Sequence, residues 1–221
     1  MISNNLLVIQ NKISLALENS GRSLDSCKLV GVSKTKSLSQ MQEAFSSGLK
    51  DFGENYVEEF NSKYKEYKPK GLNYHFIGRL PTKKVRKIVG NVELIHSVSS
   101  LKLAKKIDFV SKEEGIIQEI LIQINQGTEP SKSGFASDIS VHFEELLSLS
   151  NLKISGLMSI PPFLEPATPF FISLRELRDT LESQFSIKLP YLSMGMSGDF
   201  EEAISEGSTH VRIGTSIFGN R

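Results

Sequence analysis

The 221-residue chain is 39% hydrophobic and 23% charged, with 26 basic against 25 acidic side chains for a net charge of +1. That balance excludes a disordered chain and removes the electrostatic reason to expect nucleic acid or an anionic membrane as partner. The single cysteine, Cys27, excludes a disulfide framework, and no apolar run approaches the ~18 residues of a membrane span, so a cytoplasmic globular protein is expected.

Ile2, Leu6, Ile9, Ile13 and Leu17 recur at helical spacing and predict an amphipathic helix over 2–18, ending near Asn19 and Gly21. The run Lys28-Leu-Val-Gly-Val-Ser33 reads as a short strand between turn formers. A helix over 37–48 follows, capped by Ser37 or Ser39 and stopped at Gly48. Further strands are predicted near 51–53, 73–77, 92–97, 116–124, 152–158, 190–194 and 209–213. Helical patterns fill 55–67, 82–89, 99–113, 138–149, 168–184 and 198–206. Alternating strands and helices argue for a parallel sheet, and eight such units in about 200 residues fit a (β/α)8 TIM barrel better than an open doubly wound sheet. The expectation is one barrel domain over 1–221. The tail after Arg212 is too short for a full eighth helix, a gap that the N-terminal helix could cover.

A barrel places its working residues just after the strands, and phosphate sites favour the loops after strands seven and eight. The strand exits carry Lys34, Asn55, His75 through Gly78, His96, Asn125 and Met158. The seventh ends in Ser193-Met-Gly-Met-Ser197-Gly198 and the eighth in Arg212-Ile-Gly214-Thr215. Such turns offer free N–H groups and hydroxyls to a phosphate, and Ser197 looks like the N-cap of the next helix. Lys34 follows a buried run, and desolvation there, with Lys36 nearby, would lower its pKa and make it an amine able to attack an aldehyde. A lysine imine beside a phosphate cup is what pyridoxal 5′-phosphate requires. On spacing alone, two solvated lysines at a strand exit remain the bland alternative.

Val32-Ser-Lys34-Thr-Lys36 and Phe52-Gly-Glu54-Asn55-Tyr56-Val57 begin an ordered series of blocks that changes this balance. It continues through His75-Phe-Ile-Gly78, Gln123-Ile-Asn125, Ser131-Lys132-Ser-Gly134 and Gly156-Leu-Met158-Ser-Ile-Pro161. Leu192-Ser-Met-Gly-Met-Ser197-Gly-Asp199 and Gly207 through Gly219 complete it. The series resembles the pyridoxal-phosphate homeostasis proteins, a single-domain family of the alanine-racemase-like barrel type. The resemblance implies that Lys34 forms the internal aldimine, that Asn55 sits beside the cofactor ring and that Met158 packs against it. It also implies that Ser197, Gly214 and Thr215 bind the phosphate while Arg212 approaches the pyridine nitrogen. A guanidinium donating to that nitrogen disfavours its protonation and weakens the ring as an electron sink. Four positions, in three places, depart from the family pattern. Ser37 stands for a proline, Tyr74 for a tryptophan, and Pro81 and Lys83 for glutamine and asparagine.

The four histidines lack metal-ligand spacing, and His75 and His96 read either as mouth-lining or as hydrogen-bonded structural groups. The run Lys63 through Lys70 reads as a solvated helix end. Lys83, Lys84, Arg86 and Lys87 are solvated on the simpler reading and an anion or partner patch on the other. Cys27 reads as inert. The resemblance implies a cofactor-binding protein of intracellular vitamin B6 homeostasis, without strong catalytic activity, probing no nucleic acid or membrane and acting as a monomer that could supply apo-enzymes. The alternative is an amino-acid racemase, which needs two bases; the related racemases take the second from an additional β-domain, and this chain stops at Arg221. A phosphosugar-binding barrel would leave Lys34 without a role.

Overall fold

The computed structural model describes residues 1–127, 133–162 and 164–219. Ser131 and Lys132, which belong to one of the blocks above, lie outside the described residues, as does Arg221. The strands are β1 (Lys28–Val32), β2 (Asp51–Glu54), β3 (Asn73–Phe76), β4 (Leu94–Val98), β5 (Gln118–Ile124), β6 (Leu152–Ser159), β7 (Tyr191–Ser193) and β8 (His210–Ile213). They pair in parallel in chain order, and β8 closes on β1 through Lys28 opposite His210 and Val30 opposite Arg212. The chain thus forms the expected TIM barrel.

The helices are α1 (Ile2–Asn19), α2 (Leu38–Ser46), α3 (Val57–Glu66), α4 (Leu101–Glu114), α5 (Ser140–Leu147), α6 (Thr168–Phe185), α7 (Phe200–Ser205) and α8 (Thr215–Phe218). Along α1, Ile2, Leu6, Ile9, Ile13 and Leu17 are buried, the stripe that the spacing predicts. Each contributes roughly 1.5–3 kcal/mol by leaving water. That stripe packs on α2, α7 and the one-turn α8, so α1 covers the seam where the last unit is short. Ser37 caps α2 in a capping box with Gln40, which explains how serine serves at the helix entry in place of proline. Tyr74 fills its site against Phe60 and Tyr64 and donates its hydroxyl to the Tyr67 carbonyl at 2.8 Å.

One predicted helix differs in kind. The segment expected at 82–89 is a 3-10 helix over Thr82–Lys87. Its bonds run from Lys84 N–H to the Pro81 carbonyl and from Ile88 N–H to the Val85 carbonyl, and Gly90 at φ +77° ends the segment. The three-residue spacing of its buried Val85 and Ile88 suits eclipsed 3-10 geometry. Three of the four cations on it are paired at the surface: Lys84 and Lys87 share Glu58, and Arg86 pairs with Glu113. Lys63 also departs from the solvated reading. It is 7% exposed, because α3 turns it inward onto Glu54 and Glu59, each 2.7 Å away. Cys27 is half-buried, and desolvation pushes its thiol up to about 11, which keeps it protonated near neutrality.

The barrel interior is unusual in being polar across its middle. Leu94, Leu121 and Met158 form a small apolar cluster there, with Tyr191 against it. Beside it His75, His96 and His210 pack ring to ring at centroid distances of 5.2–6.2 Å. No group of residues suited to a metal occurs among the described residues. Among them, no helix is long and apolar enough to cross a membrane.

Candidate functional site

The strand exits enclose a cavity of about 290 Å³ at the C-terminal mouth of the barrel. Lys34, Asn55, Ser197, Arg212, Gly214 and Thr215 all line it, so six of the seven residues singled out from the sequence converge on one space. Met158 does not line it. Its side chain is committed to Leu94 and Leu121, and the apolar wall comes instead from Val32, Ile77, Ile160 and Met196.

Lys34 leaves β1 after Val32 and Ser33, both buried. The next residue, Thr35, has φ +62°, a left-handed conformation that costs a β-branched residue about 1–2 kcal/mol. The turn is held from outside the barrel. Thr35 N–H donates to Glu59 Oε1 at 2.6 Å, and Lys63 Nζ donates to the Ser33 carbonyl at 2.7 Å. Ser33 Oγ donates in turn to Glu54 Oε1 at 2.6 Å. Burial pushes the Glu54 carboxyl upward against the pull of Lys63. Lys36, two residues on, turns away from the cavity residues and donates to the carbonyls of Phe218 and Gly219 at the end of α8.

Asn55 follows β2, and its Oδ1 is buried without a hydrogen-bond partner among the described residues. Such an orphan acceptor in a cavity wall is costly unless a ligand or water meets it. Gly78 lies beside it: a Cβ there would come within 2.1 Å of the Asn55 carbonyl oxygen, so only glycine lets the β3 exit pass so close.

The exits of β7 and β8 form the opposite wall. Thr215 Oγ1 donates to Ser197 Oγ at 3.1 Å, pairing two hydroxyls at the mouth. Ser197 is not the N-cap expected of it. Asp199 takes that position, and its Oδ1 accepts from Met196 N–H at 2.5 Å, while the N–H groups of Asp199 and Phe200 bond back to the Met196 carbonyl. This turn consumes the first residues of the predicted helix, so α7 begins at Phe200 and leaves the Ser197 hydroxyl to the cavity side.

Arg212 is 5% exposed and yet reaches the cavity. Nη1 donates to Ser193 Oγ at 2.7 Å and Nη2 to the Ser159 carbonyl at 2.9 Å. Burial lowers its pKa to about 10, which still leaves it a cation near neutrality. Behind it, Ser193 Oγ lies 2.8 Å from His96 Nδ1, His96 Nε2 lies 3.0 Å from His75 Nδ1, and His75 Nε2 lies 3.0 Å from Asp51 Oδ1. Sequence reasoning assigned no role to Ser193, Ser159 or Asp51, and no local spacing marked them, since only the closed sheet brings their strands together.

The closed parallel barrel, with its cavity at the C-terminal mouth, is of the alanine-racemase type, as the family comparison shows. The model of the "Alanine racemase, N-terminal domain" family matches residues 9–221. The chain is 46% identical over 217 residues to the pyridoxal phosphate homeostasis protein of Aquifex aeolicus, covering 96% of this chain and 95% of that one. It superposes on PipY of Synechococcus elongatus, solved with PLP bound, with a TM-score of 0.87 and 31% identity over 99% of this chain and 100% of that one. The same protein without PLP gives a TM-score of 0.89. The chain belongs to the pyridoxal phosphate homeostasis proteins, within the alanine racemase N-terminal domain family.

Proposed function

We propose that this barrel binds pyridoxal 5′-phosphate at its C-terminal mouth and serves cofactor homeostasis, holding the cofactor and releasing it to apo-enzymes rather than turning over amino acids. The observation that carries the reading is the convergence of Lys34, Asn55, Ser197, Arg212, Gly214 and Thr215 on one cavity of about 290 Å³. Each group answers a different part of one molecule. Lys34 supplies the amine that condenses with the aldehyde, water leaving. Ser197 and Thr215 supply hydroxyls, and Gly214 a close backbone approach, for the phosphate. Asn55 Oδ1, an orphan acceptor, meets a donor on the ring side. Val32, Ile77 and Ile160 wall the ring and exclude water. The bound cofactor would supply a carbonyl for amines and an electron-withdrawing ring.

The same wall argues against strong turnover. Lys34 and Arg212 are the only titratable side chains among the described residues lining the cavity, and no carboxylate, imidazole, phenol or thiol joins them. Lys34 can hold or move a proton on one side of an amino-acid α-carbon, with no second base to face it. Arg212, donating to the pyridine nitrogen, keeps that nitrogen unprotonated and limits stabilisation of a carbanion. The absorbance spectrum of the purified protein, loaded with pyridoxal phosphate if needed, tests the binding reading. An imine band near about 420 nm is expected, and a spectrum that adds only that of free cofactor overturns it.

A further inference from the structure

The geometry points to Asp51, His75, His96 and Ser193 as one hydrogen-bonded chain of positioning residues that aims the Arg212 guanidinium at the ring nitrogen of the bound cofactor. This inference rests on the binding reading above and concerns groups that never touch the cofactor themselves. The chain runs across the barrel, from β2 through β3 and β4 to β7 and β8. Its four links measure 3.0, 3.0, 2.8 and 2.7 Å. His75, His96 and Ser193 are 1%, 0% and 0% exposed, so water cannot substitute for a missing partner.

The direction of the chain is fixed from both ends. Asp51, whose carboxyl is held below its ordinary value despite burial, accepts only, and so requires a proton on His75 Nε2. The neutral tautomer then leaves His75 Nδ1 as an acceptor for His96 Nε2–H. His96, which burial keeps neutral, has Nδ1 free to accept from the Ser193 hydroxyl. Arg212 can only donate, and Ser193 Oγ takes its Nη1–H on the remaining lone pair. In this arrangement each donor along the chain has one acceptor. A proton added at His75 would reverse the middle links and strand the Ser193 hydroxyl hydrogen in a fully buried place.

The consequence is directional control of a cation. The Ser159 carbonyl holds Nη2 and Ser193 holds Nη1, so two donors of the guanidinium are tied back while the side chain lines the cavity. Without the Ser193 acceptor one edge is released, and the planar fork can rotate away from a partner in the cavity. Asp51, whose side chain is 14% exposed, ends the chain at the opposite side of the barrel interior, beside Lys28. A change there reaches the cofactor only through the bonds between.

The test compares two ligands on the full-length protein: pyridoxal phosphate and its 1-deaza analogue, in which a C–H replaces the ring nitrogen. Wild type should prefer pyridoxal phosphate by about 10-fold or more, as expected for a hydrogen bond from a charged donor. Ser193→Ala and Asp51→Asn should reduce the preference to about 3-fold or less, and Ser193→Thr, which keeps the hydroxyl, should restore it. Loss of affinity for both ligands by one common factor would assign the chain a merely structural role and overturn the proposal. A wild-type preference retained in both Ser193→Ala and Asp51→Asn overturns it too. A wild type that forms the imine yet shows no preference overturns the aiming of Arg212 while leaving the binding reading intact. Absence of the imine in wild type brings down both.

Discussion

Thr215 Oγ1 and Ser197 Oγ lie 3.1 Å apart although 18 residues separate them in the chain. The pairing of β7 with β8, through Ser193 opposite His210, brings the two strand exits side by side. Two hydroxyls held together at an open mouth suit the phosphate oxyanion of the proposed ligand. Thr215→Val and Ser197→Ala should therefore each weaken pyridoxal phosphate binding by about 1–3 kcal/mol. Pyridoxal, which lacks the phosphate, should be nearly indifferent to both changes. Titration of the two ligands by absorbance decides the matter, and equal losses would place the phosphate elsewhere.

Lys34→Ala should abolish the imine band while leaving weaker, non-covalent binding through the phosphate wall. Borohydride treatment of wild type should add the reduced cofactor's mass to the peptide that carries Lys34. Mass spectrometry finding it on Lys36 or Lys132 would identify a different nucleophile. Lys36 is the poorer candidate, since it is not among the residues that line the cavity.

Acid should destabilise this protein earlier than its carboxylates alone would predict. Burial pushes His210 down to about 3 and His96 well below its ordinary 6.5. Between 6.5 and about 3 the unfolded chain takes up protons that the folded barrel refuses, so this stability is complete above pH 6.5 and is lost as pH falls. His210 alone should remove about 1.5–2 kcal/mol between pH 6.5 and 5, and His96 adds to the loss in the same direction. Glu54, pushed up by burial, acts in the opposite sense and offsets part of the loss. Urea unfolding at pH 7 and pH 5 should show the decline, and His210→Gln should make it shallower. A midpoint unchanged between the two pH values would contradict the assignment.

Amino acids should bind the loaded protein yet exchange their α-proton slowly. Solvent-deuterium incorporation into L-alanine, followed by NMR, should proceed no faster than with free cofactor. Turnover at or above ~1 s⁻¹, in the ordinary enzyme range, and lost in Lys34→Ala, would make the protein a racemase-like enzyme instead.

The alternation of strands and helices was legible because most strands are short runs with apolar or β-branched residues between turn formers, and because the helix stripes repeat at their own period. The strand exits then gathered Lys34, Asn55, Ser197, Arg212 and Thr215 at one mouth, since a barrel collects its exits there, while the role of each came from the family likeness. Other features were not legible. Lys63 sits in a run of lysines and tyrosines that looks solvated, and only the packing of α3 on β2 turns it onto Glu54. Ser197 before an acidic helix start looks like a cap, but the turn in which Asp199 and Phe200 N–H bond back to the Met196 carbonyl delays the helix, so Asp199 holds the N-cap position without a side-chain cap bond. Met158 was placed against the cofactor ring by family likeness; in this barrel its side chain meets Leu94 and Leu121. The histidines could be read as functional or structural, and no local spacing connects residues 51, 75, 96, 193 and 212. Only closure of the sheet makes them neighbours.

That closure bears on how the barrel assembles. Asp51 and His75 lie on the second and third strands, whereas Ser193 and Arg212 lie on the last two. A partly built barrel that lacks the final strands would bury His96 against unanswered polar atoms, each a penalty of about 1–3 kcal/mol. Intermediates with a dry but incomplete interior are therefore disfavoured, and water should remain between the strands until β8 docks beside β1. The polar interior makes the first and last thirds of the chain depend on each other, so the barrel should form and dissolve as a single cooperative unit rather than fray strand by strand.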